Sequence, residues 1–374
     1  MVKLCKKDAR REPSLPSAKT ARNSSIDILK FVFSLIIAAL HFSISHNLTF
    51  ARGGYILVEG FFIISGYFFM SAVQSQAACT GKAAATYVFK KYCSFALPLA
   101  ISAIIGFAVR IAAGEYTGLT ALKNLPFLFS EILPLQITGM RTTTSTGVSW
   151  YLSAMLLSFL ILYPLARKLK SCFVYVFCPL AVCFIYGNLY SRFGNLNPIL
   201  QTTFGSWITA GLLRAVAAIC LGCIIHALVQ NTKKTRLTFA GRTVMSIIVL
   251  CCIAGITIPI FVQPKTGFDY IAVILLFIML FILFSQKSLV SHALTTPKTK
   301  LLGDISLLIY LNHSYWATFI AKKFTEYSML YKVILFISLT VISCCVVNTA
   351  VLIIKRLRKK LKPTLKRVFI ESET

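Results

Sequence analysis

The residues best able to do chemistry in this chain are His41 and Glu59, each set inside a long apolar block. A carboxylate beside a histidine fixes its tautomer and stabilises the imidazolium, which suits a general base that takes a proton from a hydroxyl. The same two groups could clasp two helices together or relay a proton through a transporter, so by themselves they leave catalysis, structure and transport open. Asp27 and Lys30 belong to the same block as His41, at separations of 3 and 11 residues from Lys30. At about 100° per residue all three fall on one helical face. Lys30 lies near the block's end, where it can snorkel and pair with Asp27, and His41 lies about 16 Å further along the axis. Glu59 sits about as deep below the outer end of the second block as His41 does in the first, so the two depths match.

The other ionisable groups in apolar blocks are few. His313 stands near the middle of a late block beside Asn312 and close to Ser306 and Asp304, where it lines the same cavity or serves a helix contact. Arg214 is too deep to be only a topology signal and is expected to meet an anion, either Glu59 or a substrate. Arg110 and Asp269 lie nearer a rim and read as snorkelling residues, while His46, His226 and His292 read as interfacial. The Cys220–Cys223 CxxC lies within an apolar block, without the strand context of a redox motif or a second ligand pair, so no metal or redox use is expected. There is no GxGxxG, P-loop or HExxH.

These residues must be held by elements that the composition defines. The chain has 374 residues, 57% hydrophobic and 13% charged, with a mean hydropathy of +0.77. A soluble domain has about 45–50% apolar and about 25% charged residues. Here the apolar excess falls in blocks, which makes this an all-α, polytopic membrane protein. A formal charge of +28 would suggest nucleic acid in a soluble chain. The basic residues cluster between and outside the apolar blocks, so bilayer topology accounts for them and no nucleic-acid partner is expected. Nearly all of the twelve cysteines lie inside apolar blocks, Cys5 and Cys79 excepted, and none is placed for an extracellular disulfide.

A bilayer core of about 30 Å needs roughly 20 apolar residues per helix. That ruler predicts ten spans, near 26–45, 54–73, 93–112, 148–166, 172–190, 208–229, 244–262, 268–285, 301–321 and 333–354. With both termini cytoplasmic, 28 Lys and Arg fall inside and 8 outside, the sense required by the positive-inside rule. The expected layout is a basic tail over 1–25, a ten-helix membrane domain over 26–354 and a second basic tail over 355–374. The polar, basic start reads as a tail before an uncleaved first helix rather than a signal peptide. The second tail could bind anionic lipid, although topology already explains it. The longest outer loop, about 113–147, contains Pro126, Pro134 and the stretch LPFLFSEILPL, which is too short to span and either re-enters or lies on the surface.

Four motifs carry a resemblance. The first helix, IDILKFVFSLIIAALHF, resembles the opening of acyltransferase family 3, with a basic residue, ten intervening residues and a histidine at Lys30 and His41. The second, VEGFFIISGYFF, is similar to the family's acidic residue followed by two aromatics and Ser-Gly, here Glu59, Phe61, Phe62, Ser65 and Gly66. WYLSAMLLSFLILYP, from Trp150 to Pro164, resembles its Trp-x-Leu helix, and LLGDISLLIYLNHSYW, from Leu301 to Trp316, resembles its late Gly-x-x-Ser and Tyr-Leu-x-His helix. The motifs fall in family order over about 24–316. The resemblance implies a bundle of about ten helices that transfers an acyl group, often acetyl, from acyl-CoA to a hydroxyl on a surface sugar or glycan, with His41 as the essential histidine. Acyl-CoA is then a co-substrate and no bound cofactor is implied. Two departures stand out. Lys90 and Lys91 occupy a loop where the family often has two arginines, and Lys lacks the bidentate fork of Arg. Met155 and Leu156 stand where some members have Glu.

The resulting expectation is an acyl-CoA entering from the cytoplasm, its phosphates near Lys90, Lys91 and Lys30, with Lys30 held by Asp27. His41, oriented by Glu59, deprotonates the acceptor. Arg214, Asn312 and His313 are candidate donors to the oxyanion, a role worth about 3–4 kcal/mol, and Trp150 is counted with the substrate- and donor-binding residues. The expected setting is a bacterial plasma membrane, with the lipid bilayer and a sugar or glycan acceptor, free or lipid-linked, as partners. The rival reading is a proton-coupled transporter or flippase of a glycan, lipid or organic acid. Many transporters have paired helix-breaking segments in two halves, and the prolines here do not fall in equivalent places.

Overall fold

Within a bilayer every backbone N–H and C=O must be satisfied internally, so each apolar block folds as a helix. The computed structural model describes residues 23–75, 81–140, 145–203, 208–262, 267–293 and 299–371. The N-terminal tail to residue 22, Cys5, Cys79, Arg141, Lys265 and Lys298 lie outside the described residues, as do the side chains of His292 and of the basic tail beyond Arg358.

The helices are α1 (Ser24–Ser45), α2 (Leu57–Gln74, entered through a 3-10 turn at Arg52–Ile56), α3 (Gly81–Ala112), α4 (Leu119–Ile132), α5 (Trp150–Leu169) and α6 (Cys178–Phe193, preceded by a π turn at Phe173–Phe177). They continue with α7 (Ala210–Thr232), α8 (Phe239–Phe261), α9 (Phe268–Ser285), the short α10 (Leu289–Ala293), α11 (Thr299–Asn312), α12 (Ser314–Lys323) and α13 (Met329–Glu371). The strand content described is one two-residue antiparallel hairpin before α7, pairing Thr202 with Thr209 and Thr203 with Ile208. Among the described residues nine helices are long and apolar enough to cross a membrane. This is an all-α polytopic bundle.

The expected ninth span, 301–321, is not one helix. It is α11 followed by α12, interrupted at His313. Asn312 Nδ2 donates to the Leu308 carbonyl at 2.7 Å, and His313 Nδ1 to the Ile309 carbonyl at 2.9 Å. Both side chains therefore take carbonyls four residues back, in competition with the backbone ladder, and break the helix where they sit. The two pieces still traverse the bundle together. Gly303 near the start of α11 shares a cavity with Lys30 and Lys91, whereas Lys322 at the end of α12 pairs with Glu115 just past the far end of α3. The third span is also longer than expected because α3 begins at Gly81 and carries Lys82, Lys90 and Lys91 on its first turns.

The tightest crossing is between α2 and α7. A Cβ at Gly66 would fall on the backbone of Ile219, and one at Gly222 on the backbone of Ile63. Small residues at both contacts let the two main chains approach closely, as membrane helices do where no hydrophobic drive joins them. Cys223 Sγ lies 3.7 Å from the Gly66 carbonyl, so the CxxC lies against this crossing, with Cys220 and Cys223 both buried. Gly66→Ala is expected to force the helices apart at a cost of about 1–3 kcal/mol. A lowered unfolding midpoint in detergent checks it, and an unchanged midpoint would contradict the close crossing.

The outer loop folds as expected for a non-spanning segment. Along α4, Leu119, Leu122, Leu125 and Phe129 are exposed on one side, while Leu128 and Glu131 are buried on the other. An exposed apolar stripe opposite a docked face is the pattern of a helix lying in the membrane interface.

Candidate active site

His41 and His313 meet inside the bundle with ring centroids 5.0 Å apart. Lys30 lines a cavity with Gly303 and Ser306 of α11 while His41 meets His313, so these two residues of α1 face α11 and its break from α12, and Asp27 pairs with Lys30. Because the Ile309 carbonyl can only accept, His313 must carry its proton on Nδ1, and the neutral ring then presents Nε2 as a lone pair. That Nε2 is buried and has no hydrogen-bond partner among the described residues.

The expected pairing of His41 with Glu59 is not what the fold brings together. Glu59 Oε1 accepts from Arg214 Nε at 2.6 Å and Oε2 from the Tyr186 hydroxyl at 2.8 Å. No hydrogen bond or ion pair joins Glu59 to His41 among the described residues. The depths match, but α2 turns Glu59 toward α7 and α6, where a buried guanidinium and a phenol satisfy it. Arg214 thus meets the first of the two anions expected for it. Its Nη2 also donates to the Tyr55 carbonyl at 3.4 Å, and its guanidinium carbon lies 5.5 Å from the Trp150 ring centroid. Asn312, a candidate oxyanion donor, is engaged at both ends, Nδ2 on Leu308 and Oδ1 accepting from Tyr315 at 2.6 Å.

At the end of the bundle where α1 begins, a cavity of about 230 Å³ opens between α1, α2, α3, α5 and α11. Lys30 and Lys91 stand in its wall, with Ser65, Ser94 and Ser306. Lys30 Nζ is 3.5 Å from Asp27 Oδ1 and lies over the Phe68 ring. Lys90, expected beside Lys91, is exposed and lines no part of it. The cavity reaches the rings of Phe61, Tyr151 and Tyr310, whose centroids are 5.7–6.0 Å apart. Ser65 Oγ and the Tyr151 hydroxyl are 3.0 Å apart, which fixes one of these rings. Beyond them, the Tyr310 and His313 ring centroids are 6.1 Å apart.

The opposite rim holds residues that the sequence reading underrated. Arg110 does not snorkel. It is buried, with Nε donating to the Ser145 carbonyl at 3.1 Å and Nη1 paired with Glu115. Lys322 Nζ is 3.1 Å from the other Glu115 oxygen. Burial alone would push the Glu115 carboxyl up, but Arg110 and Lys322 outweigh it and hold the group below the usual carboxylate range. The stability this linkage supplies is present above the ordinary carboxylate value and is lost as pH falls through the lowered one. Arg110 also lies within electrostatic reach of His41. Asp269 is buried and accepts from the Tyr55 hydroxyl at 2.9 Å and the Leu196 N–H at 2.7 Å, so it too is an internal anchor rather than a rim charge. His226 is buried against Tyr67 rather than interfacial. His46 is half-buried, stacked on Phe42, with Nδ1 donating to the Phe42 carbonyl at 3.0 Å.

Glu131 was not foreseen at all. Its buried carboxylate accepts from the Ser145 and Thr146 N–H groups at 2.8 and 2.9 Å and from the Thr146 and Ser149 hydroxyls at 2.7 and 3.0 Å. With Tyr310 donating to the Val148 carbonyl at 3.0 Å, it fixes the 145–149 loop beside the site. Gly147 in that loop has φ +72°, and Ser314 Oγ crowds the space where its Cβ would stand, with Arg110 Nη2 in contact beside it. The only available signal was the scarcity of acids, Glu131 being one of eleven in the chain.

A multi-pass helical bundle with ionisable side chains converging in its interior defines a membrane protein with an internal polar site. Residues 23–350 match the family model described as an acyltransferase domain, and the chain belongs to acyltransferase family 3. It is therefore a membrane acyltransferase. No curated relative and no solved structure matches it.

Proposed function

We propose that this acyltransferase moves an acyl group, acetyl in the simplest case, from acyl-CoA to a hydroxyl of a sugar or cell-envelope glycan, with His41 as general base, in a bacterial plasma membrane. The observation that carries the reading is the alignment of a cation-lined cavity at one end of the bundle with the His41–His313 pair beyond its aromatic floor. Lys30 and Lys91 suit the phosphates of CoA, and the cavity leads its pantetheine arm toward Tyr310. His41 takes the proton of the acceptor hydroxyl as that oxygen attacks the thioester carbonyl carbon. The C–S bond then breaks, and the CoA thiolate takes the proton back from the imidazolium.

In this scheme His313 fills the place first expected for Glu59. Its Nε2 lone pair, fixed by the Nδ1 bond to Ile309, suits acceptance of an N–H from His41, which would leave the other His41 nitrogen free to act as base. Glu59 and Arg214 act one layer out, as a neutralised pair that holds α2 on α7.

The direct test incubates the protein in nanodiscs with radiolabelled acetyl-CoA, with and without cell-envelope glycans. Acceptor-dependent release of CoA is the expected result. Lys91→Gln is expected to raise the KM for acetyl-CoA about tenfold through loss of a charge-assisted phosphate contact, with little change in kcat. Absence of both donor binding and release, in protein shown to be folded, would favour a transporter instead. A Lys91→Gln variant with the wild-type KM would remove the cavity from the donor path.

A further inference from the structure

The rim beside the histidine pair is more basic than the outer side of a membrane protein should be. Lys and Arg are disfavoured on the translocated side. Yet three of the eight basic residues that charge counting puts there, Lys322, Lys323 and Lys332, fall within the short stretch that ends α12 and begins α13. Arg110 joins them from the end of α3. Arg110 and Lys322 are bridged by Glu115, and the stretch that carries Lys323 and Lys332 has one further acid, Glu326.

The cluster is tied to the site rather than scattered. Lys322 and Arg110 share Glu115, and Arg110 holds the Ser145 carbonyl of the 145–149 loop beside the histidine pair. Arg110 is held rigid by Ser145 and Glu115, and its Nη2 makes no hydrogen bond among the described residues. Lys323 is exposed, and Lys332 Nζ is held 2.9 Å from the Thr325 carbonyl. Within the same stretch Tyr327 and Tyr331 stack at 4.7 Å with both rings about half exposed. Their π faces are negative and accept the weakly positive C–H face of a sugar ring.

Resting on the proposed donor and base, we infer that the acceptor is an anionic sugar, whose carboxylate or phosphate is held among Arg110, Lys322, Lys323 and Lys332 while its ring lies toward the Tyr327–Tyr331 stack. A guanidinium fixed at two of its nitrogens offers the third as a directional anion donor, and the lysines add charge that steers the ligand inward. The anion then sits at the rim and the hydroxyl to be acylated points down toward His41. This places donor and acceptor at opposite ends of the bundle with the histidine pair between them.

The test measures binding, without acyl-CoA, in nanodiscs of phosphatidylcholine, using methyl glucoside, methyl glucuronide and glucose 1-phosphate. One or both anionic sugars should bind about tenfold more tightly than the neutral one at low salt, and the difference should shrink as screening shortens the Debye length to about 3 Å at about 1 M. Preference for the glucuronide alone would identify a carboxylate acceptor, and for the sugar phosphate alone a phosphorylated one. The double variant Lys323→Gln, Lys332→Gln should erase the preference, and the Lys323→Arg, Lys332→Arg variant should retain it. Equal binding of all three sugars, or a preference untouched by the Gln substitutions, overturns the inference. So does loss of the preference when anionic phospholipid replaces phosphatidylcholine, since the patch would then be a lipid headgroup site. Because no turnover is required, a failed transfer assay with an intact anion preference would count against the donor and base, and not against this surface.

Discussion

His41→Ala is expected to lower acyl transfer by about 10²- to 10⁴-fold, the range a positioned general base contributes, while the bundle stays folded. Both halves of that result follow from where the ring sits. The proposed base would have no substitute at the same position. Nε2 of His313 is fixed by the Nδ1 bond to Ile309 at the α11–α12 break, so that ring is not free to take the place of the lost one. The fold, in contrast, draws little from His41. The ring is partly exposed, forms no hydrogen bond among the described residues, and lies 5.0 Å from the neighbouring imidazole. Truncation therefore leaves no buried polar group of α1 unsatisfied. The check pairs CoA release with the thermal unfolding midpoint of the same preparation. A well-folded variant with wild-type turnover would remove His41 from the chemistry, and a variant that unfolds would show that the ring is structural. His41→Gln separates the two by keeping a polar side chain of comparable size without a basic nitrogen.

The sequence made some of this arrangement legible and hid the rest for a geometrical reason. Block length and charge asymmetry speak to depth and orientation along the bilayer normal, and they made legible nine helices that, among the described residues, are long and apolar enough to cross, the basic end of α1 and the expected anion partner of Arg214. Helical periodicity fixes angle within one helix, and it correctly grouped Asp27, Lys30 and His41. Neither quantity fixes which neighbour a helix turns its polar face toward. Glu59 and His41 matched in depth and were paired for that reason, but the azimuth of α2 sends Glu59 to Arg214 and Tyr186. His313 was visible as a polar residue in an apolar block, yet its partner depended on how α12 packs against α1. The 145–149 loop was least legible. Its order comes from Glu131, fourteen residues upstream of Ser145, and from Arg110 and Tyr310 on other helices. No periodic pattern encodes a carboxylate that ligates a loop.

Glu59→Ala and Arg214→Ala are each expected to destabilise the protein by about 3–5 kcal/mol, because each leaves a buried, uncompensated charge. Both side chains are almost fully buried, and the bond between them is short and charge-assisted. The pair also joins α2 to α7 near their outer ends, some two turns from the Gly66–Gly222 crossing, so loosening it frees the most closely packed helices in the bundle. Glu59→Gln keeps the shape of the side chain but not its charge, and it is expected to fall between the wild type and Glu59→Ala. The double replacement Glu59→Leu, Arg214→Met removes both charges together. It should recover much of the lost stability, since a well-packed apolar pair of similar volume is often no worse than a buried ion pair. A double-mutant cycle on unfolding midpoints measures the coupling directly. Coupling of about 3 kcal/mol or more, with transfer by the recovered double variant still dependent on His41, would establish the pair as scaffold for the site. Coupling below about 0.5 kcal/mol, the additivity error of independent sites, would mean that Arg214 and Glu59 act separately and return Glu59 to consideration as a group that works on the substrate.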